Sequence, residues 1–307
     1  MQDIRIHEVG LRDGLQIEKQ VVPTEQKIRW AESLIASGVD IIQLGSFVNP
    51  EKVPQMADTD RLFQHFSQRA TKPRRPTLSG LVLNEKGLDR GLACGVELFC
   101  MGVSASDTHS RKNTGMSTAE ATARIVAMAR KARDERKPVQ LSVQSAFGCG
   151  YEGPVPQERV LEIVRRFLDE GFRTVSLADT AGHASPTQVE RLFGAIFEIE
   201  PGAECACHLH DTYGLAMANS WAALNAGVRY FDSAFAGLGG CPFTAVTGGN
   251  LCTEDFIHML QRMNLRKDIG LQCLIEVAAD ADRFFGRTLP GTIHRTGPIP
   301  ERKPSGA

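Results

Sequence analysis

Short apolar runs alternate with longer stretches of helical periodicity along most of the chain. The strand-like runs are IRIHEV at the start, IIQLGSF, LSGLVL near 80, ELFCMGV, VQLSVQSAF near 142, TVSLADT, ECACHLH near 207 and YFDSAF. Between them the helical pattern occupies 24–37, 58–68, 84–94, 118–135, 156–170, 186–199, 214–226 and 250–263. Four times that pattern stops at a glycine and an apolar strand follows at once: Ser37-Gly38-Val39, Cys94-Gly95-Val96, Glu170-Gly171-Phe172 and Ala226-Gly227-Val228. Glycine fits just past a helix end because it adopts a left-handed conformation without steric cost. Strict alternation of strand and helix implies parallel strands joined by helical crossovers. Eight such units in about 260 residues predict a closed (β/α)8 TIM barrel rather than an open doubly wound sheet. No G-x-G-x-x-G follows the first strand, which also disfavours dinucleotide binding. The chain reads as one domain, 1–307, with the barrel over about 4–263 and a C-terminal helix over about 269–285. The tail, 290–307, is rich in Pro, Gly and charge and is expected to be mobile at least in part.

Composition narrows the class without changing this picture. A chain of 307 residues that is 42% hydrophobic can build a large core. With 35 basic and 36 acidic residues, a net charge of -1 and no basic stripe, nucleic acid is not an expected partner. The opening MQDIRIHEVG lacks the charged-then-apolar order of a secretory signal, and no apolar run approaches membrane-spanning length. The eight cysteines lie mostly in apolar or glycine-rich stretches, which reads as reduced thiols in a cytoplasm rather than a disulfide framework.

The barrel supplies a test for chemistry, because active sites in this fold form at the C-terminal ends of the strands. Polar residues gather there. Strand 1 runs into Glu8-Val9-Gly10-Leu11-Arg12-Asp13-Gly14, strand 2 carries Gln43 and Ser46, and strand 6 carries Asp179 and Thr180. Strand 7 carries His208 and His210, and strand 8 leads to Gly237-Leu238-Gly239-Gly240-Cys241-Pro242 and then Thr247-Gly248-Gly249-Asn250. Alternation puts His208 and His210 on one face, about 7 Å apart along the strand. Alone, that pair reads equally as a metal site or as two partly exposed histidines. Asp13 alone reads as a turn or cap aspartate, but with the histidines it makes an oxygen and nitrogen set suited to a divalent cation. Asp211 alternates to the other face ahead of a helix, so capping is its expected role. Asn250 stands open between a ligand and a cap for a helix starting at Leu251. Cys241, on a glycine-rich loop over the barrel mouth, reads as a reactive thiol.

Leu11-Arg12-Asp13-Gly14-Leu15-Gln16 together with His208-x-His210 resembles the DRE-TIM metallolyases. Further stretches resemble the 3-hydroxy-3-methylglutaryl-CoA lyases within that group: Ser46-Phe47-Val48 through Asp58, Lys112-Asn113, Gly148-Cys149 with Tyr151-Glu152-Gly153, Ser176-Leu177-Ala178-Asp179-Thr180, His208 through Gly214, and GLGGCPF…GGN. The resemblance spans about 4–285, and the glycine-rich Cys241 loop separates the lyases from condensing synthases. It implies metal ligation by Asp13, His208, His210 and Asn250, with Mg2+ or Mn2+ as the ion. It implies that Arg12 holds the acyl-CoA carbonyl, that Cys241 acts in proton transfer, and that His208 is the candidate base. Gln43 is carried as part of the catalytic set, and Gln16, Asn113, Gln140, Asp179 and Thr180 as substrate-side residues. The implied reaction is a retro-Claisen cleavage releasing acetyl-CoA, in a homodimer that meets neither nucleic acid nor membrane.

Three departures bear on the substrate. Gln43 stands where the family carries Glu, Gln140 and Ser142 where strand 5 carries Arg and Tyr, and Ser106-Asp107-Thr108-His109 where the family has Ser-Glu and an aromatic. Gln can donate and accept hydrogen bonds but carries no charge. The expectation is therefore a lyase whose acyl group differs from, or is broader than, hydroxymethylglutaryl. The alternatives are a Claisen-type condensing enzyme or a 2-oxo- or hydroxy-acid aldolase, and an acyl-CoA and metal-binding protein that has lost turnover.

Overall fold

The computed structural model describes residues 4–67, 75–240 and 248–300. Eight parallel strands close into a barrel in sequence order: β1 (Arg5–Glu8), β2 (Ile41–Ser46), β3 (Thr77–Leu81), β4 (Leu98–Ser104), β5 (Val139–Gln144), β6 (Thr174–Asp179), β7 (Glu204–Leu209) and β8 (Tyr230–Ser233). The seam is made by β1 and β8, with Arg5 opposite Tyr230 and Glu8 opposite Ser233. The predicted helices become α1 (Thr24–Ser37), α2 (Thr59–Ser67), α3 (Glu85–Cys94), α5 (Thr118–Asp134), α6 (Gln157–Asp169), α7 (Pro186–Ile199), α8 (Ala216–Ala226) and α9 (Thr253–Arg262), with α4 (Asp107–Thr114) added ahead of α5. Gly38, Gly95, Gly171 and Gly227, the four expected helix terminators, all have positive φ. Among the described residues no helix is long and apolar enough to cross a membrane.

The C-terminal helix α10 (Leu271–Phe285) packs on α1. Trp30 of α1 lies 5.4 Å from the rings of both Phe284 and Phe235 and donates its indole N–H to Asp280 Oδ2 at 2.8 Å. Phe235 in turn packs so closely on Gly10 that a Cβ there would meet its ring at 2.5 Å. The outer helices thus brace the turn that carries Arg12 and Asp13.

Within the tail, residues 293–296 form a one-turn helix, α11 (Ile293–Thr296). His294 fastens it, with Nδ1 3.0 Å from Glu254 Oε1 and Nε2 3.1 Å from Asp282 Oδ2. The one ring and its two carboxylates join α9, α10 and α11, contacts that composition does not reveal.

Candidate active site

After β1 the backbone makes a single wide helical turn, Gly10–Gly14, in which the amides of Arg12, Asp13 and Gly14 all approach the Val9 carbonyl, at 3.0, 2.8 and 3.3 Å. Glu8 holds this turn from below. Its buried carboxyl accepts from the amides of Gly10 at 2.7 Å and Phe235 at 3.2 Å and contacts Thr253 Oγ1 at 2.5 Å. Burial pushes the Glu8 carboxyl up to about 8 against those hydrogen bonds. The turn projects Asp13 toward the end of β7. There His210 Nε2 lies 3.3 Å and His208 Nε2 3.7 Å from Asp13 Oδ2. The two imidazole rings stand 5.1 Å apart and nearly perpendicular.

Each histidine is oriented from its other nitrogen. His208 Nδ1 lies 3.1 Å from Asp232 Oδ2 on β8, and His210 Nδ1 lies 2.9 Å from the Thr180 carbonyl. With Nδ1 carrying the proton toward these acceptors, both Nε2 lone pairs turn to the Asp13 side. Asn250 joins them through a short antiparallel bridge to His210 and donates from Nδ2 to Asp13 Oδ2 at 2.9 Å. Gly249 makes this approach feasible, because a Cβ there would overlap the Gly237 carbonyl oxygen at 1.6 Å. Asn250 is therefore not the cap of α9, which begins at Thr253. Asp211 does serve a helix, accepting from the amide of Ala216, the first residue of α8, at 2.8 Å.

Electrostatics follow from this crowding. Burial would raise the Asp13 carboxyl, but the Arg12 charge and the contacts with His210 and His208 hold it well below the usual carboxylate range. Burial would lower His210, but its hydrogen bond and ion pair with Asp13 raise it. Asp13, His208 and His210 offer ligand atoms within 4.8 Å of one another, a group able to hold a metal ion. The residues fit such an ion: one carboxylate, two imidazole nitrogens, and Asn250 Oδ1, which is buried without a hydrogen-bond partner.

A cavity of about 740 Å³ opens over the cluster. That volume is typical of small-molecule sites. Arg12, Asp13, His208 and His210 line it, as do Gln16, Gln43, Asn113, Gln140, Ser142 and Thr180. Arg12 donates from Nε to Gln43 Oε1 and from Nη1 to Asp13 Oδ1. Gln140 accepts from the Cys100 thiol at 3.6 Å. Asp179 is not among the residues lining this cavity; its buried carboxylate accepts from the amides of His183 at 2.8 Å and Ala184 at 3.0 Å and shapes the loop into α7. Cys241 lies outside the described residues, while its neighbour Gly240 lines the cavity. His7 and Asp232 carry no sequence signal, because only the pairing of β8 with β7 and with β1 brings Asp232 to His208 and His7 to Asp232.

The fold and site define a TIM-barrel protein with a candidate divalent-cation centre beneath a large mouth cavity. Comparison with known proteins places it more closely. The family described as HMGL-like matches residues 3–280, and the chain belongs to that family. It is 35% identical over 287 residues to a hydroxymethylglutaryl-CoA lyase of Bacillus subtilis, covering 94% of this chain and 95% of that one. It is 36% identical to the 3-hydroxy-3-isohexenylglutaryl-CoA/hydroxymethylglutaryl-CoA lyase of Pseudomonas aeruginosa, covering 93% and 94%. The solved structure of an HMG-CoA lyase from Acinetobacter baumannii, in complex with coenzyme A and 3-methylmalate, superposes with a TM-score of 0.90 at 32% identity, covering 98% of this chain and 97% of that one.

Proposed function

We propose that this protein is a divalent-metal-dependent carbon–carbon lyase that cleaves a 3-hydroxy-3-substituted-glutaryl-CoA-type thioester to acetyl-CoA and a 3-oxo acid. The observation that carries this reading is the Asp13, His208 and His210 cluster beside Arg12 under the cavity, in a chain of the HMGL-like family. Asp13, His208, His210 and Asn250 would hold Mg2+ or Mn2+. When bound, the ion supplies Lewis acidity for the substrate's tertiary hydroxyl.

The chain's own residues supply the rest. Two of Arg12's donors are engaged by Gln43 and Asp13. Its remaining N–H groups are left to hold the thioester carbonyl, where negative charge develops. His208 is the candidate base for the hydroxyl proton, a role it could take only with Nε2 off the ion, because its Nδ1 proton is turned to Asp232. As that proton leaves, the bond between the hydroxyl-bearing carbon and the carbon next to the thioester breaks. Its electron pair passes toward the thioester carbonyl, giving an enolate beside Arg12 and a ketone. Cys241 is assigned the return of a proton to the enolate carbon. Gln16, Asn113, Gln140 and Thr180 face the substrate from the cavity wall.

Gln43, Gln140 and Ser142 make the acyl side of that wall neutral and, at Ser142, small. Amides can recognise an acyl group by hydrogen bonds but cannot hold a carboxylate by charge. The acyl group is accordingly one that differs from hydroxymethylglutaryl or a broader set that includes it, as the name of the Pseudomonas aeruginosa relative states for that protein. We assign the protein to the cytoplasm on its free, mostly buried cysteines, and to a homodimer on the family resemblance. The test is metal-dependent release of acetyl-CoA from a panel of 3-hydroxy-3-alkylglutaryl-CoA thioesters. Cleavage of at least one, abolished by chelation and restored by Mg2+ or Mn2+, is expected. A metal-loaded protein that cleaves none of them overturns the reading.

A further inference from the structure

Three ionisable residues stand at one level of the barrel on neighbouring strands. His7 on β1 and His208 on β7 are each the cross-strand partner of Asp232 on β8. Asp232 meets both. Its Oδ2 is hydrogen-bonded to His208 Nδ1 at 3.1 Å, while its Oδ1 lies 3.1 Å from His7 Nδ1, an ion-pair approach in which neither atom has another partner. His7 is anchored on its far side, where Nε2 lies 2.7 Å from Ser79 Oγ on β3. Asp232 and His208 line the cavity, whereas His7 does not and is 1% exposed. Nothing in the reaction described above uses His7, and a substrate in the cavity does not reach it.

An aspartate held at one oxygen alone can still turn about its short side chain, and an imidazole leaning on it turns with it. A second approach at the other oxygen, from His7, restrains the carboxylate plane. The chain Ser79, His7, Asp232, His208 thus ends by directing the one imidazole whose Nε2 must face Asp13. We infer that His7 is a positioning residue for His208, acting through Asp232. The inference rests on the metal-centre reading of the site. Partners that orient a metal-binding histidine commonly govern affinity by tenfold or more.

The test uses full-length protein, with Mn2+ binding followed by titration calorimetry and by the electron paramagnetic resonance of the free ion. His7→Leu removes both contacts. His7→Gln can keep the Ser79 contact through an amide reaching the Nε2 position, and His7→Asn can keep the Asp232 contact through an amide at the Nδ1 position. Mn2+ affinity is expected to fall about tenfold in His7→Leu and His7→Gln and to stay within about threefold of wild type in His7→Asn. The turnover number should fall in the same order, with KM for the thioester little changed. Should His7→Leu fail to fold, the Gln and Asn variants decide. Mn2+ affinity equal to wild type in Gln and Asn variants, or an Asn variant no better than Gln, overturns the inference. Wild-type protein that binds no Mn2+ overturns the metal-centre reading itself, and this inference with it.

Discussion

Arg12 is the residue on which the chemistry of the site turns, and its neighbours decide how much of its charge reaches a substrate. Asp13 takes one side of the guanidinium and Gln43 Oε1 takes Nε. Gln43 sits where β2 slips register against β3, between Gln43 and Gly45, a kind of irregularity that re-aims a side chain near active sites. The Cys100 thiol, pushed up to about 12 and kept neutral by burial, donates to Gln140 Oε1 at 3.6 Å. A carboxylate placed at 43 alone would draw on the Arg12 charge and find no second cation across the thiol. Gln43→Glu is therefore expected to lower kcat/KM on the best substrate about tenfold, the effect of an incompletely paired buried charge. Adding Gln140→Arg should recover most of that loss, read as a double-mutant cycle. Simple additivity of the two effects, or a large gain from Gln43→Glu alone on hydroxymethylglutaryl-CoA, would show that the amides are independent defects.

At the scale of elements, the described residues that follow β8 and the helices beyond them support the site from one side. Asn250 reaches Asp13 only because Gly249 lies against Gly237, and Glu254 at the start of α9 accepts from the Ala236 amide at 3.1 Å. His294 clasps that Glu254 to α11. Its hydrogen bond to Glu254 raises its pKa above the ordinary 6.5. A raised folded value means that the contribution to stability is complete below about 6.5 and fades as pH rises through the folded value. His294→Ala is expected to cost about 2–3 kcal/mol in urea unfolding at pH 6, less at pH 9, since it leaves a buried carboxylate without its partner. An equal cost at both pH values would assign the loss to packing alone. The sequence showed the long helices well because each carries an apolar stripe. It hid α11, whose single turn has no periodicity and is held by charges from outside. It hid α4 for a related reason, since DTHSRKNT is polar on every side and only His109 and Ser110 are buried.

Across the whole molecule, barrel closure does what spacing along the chain cannot show. The pair His208 and His210 was legible from alternation within one strand, and Asp13 from its place after β1. His7 and Asp232 were not, because their meaning depends on β8 pairing with β1 at the seam and with β7 beside it. The same closure gives the candidate metal centre a structural consequence. Asp13 comes from the turn after β1, His208 and His210 from β7, and Asn250 from the loop after β8, so an ion held by them ties the first strand to the last two. A ligand that binds only the folded state adds stability by mass action, about 2.7 kcal/mol at a hundredfold excess over its Kd. Mn2+ or Mg2+ is therefore expected to raise the melting temperature by several degrees and chelator to reverse it. Asp13→Asn, which keeps the side-chain size but removes the central charge of the cluster, should abolish most of that ion-dependent shift while still folding to a barrel by circular dichroism. An undiminished shift in that variant would place the stabilising ion elsewhere on the molecule and detach the cluster from it.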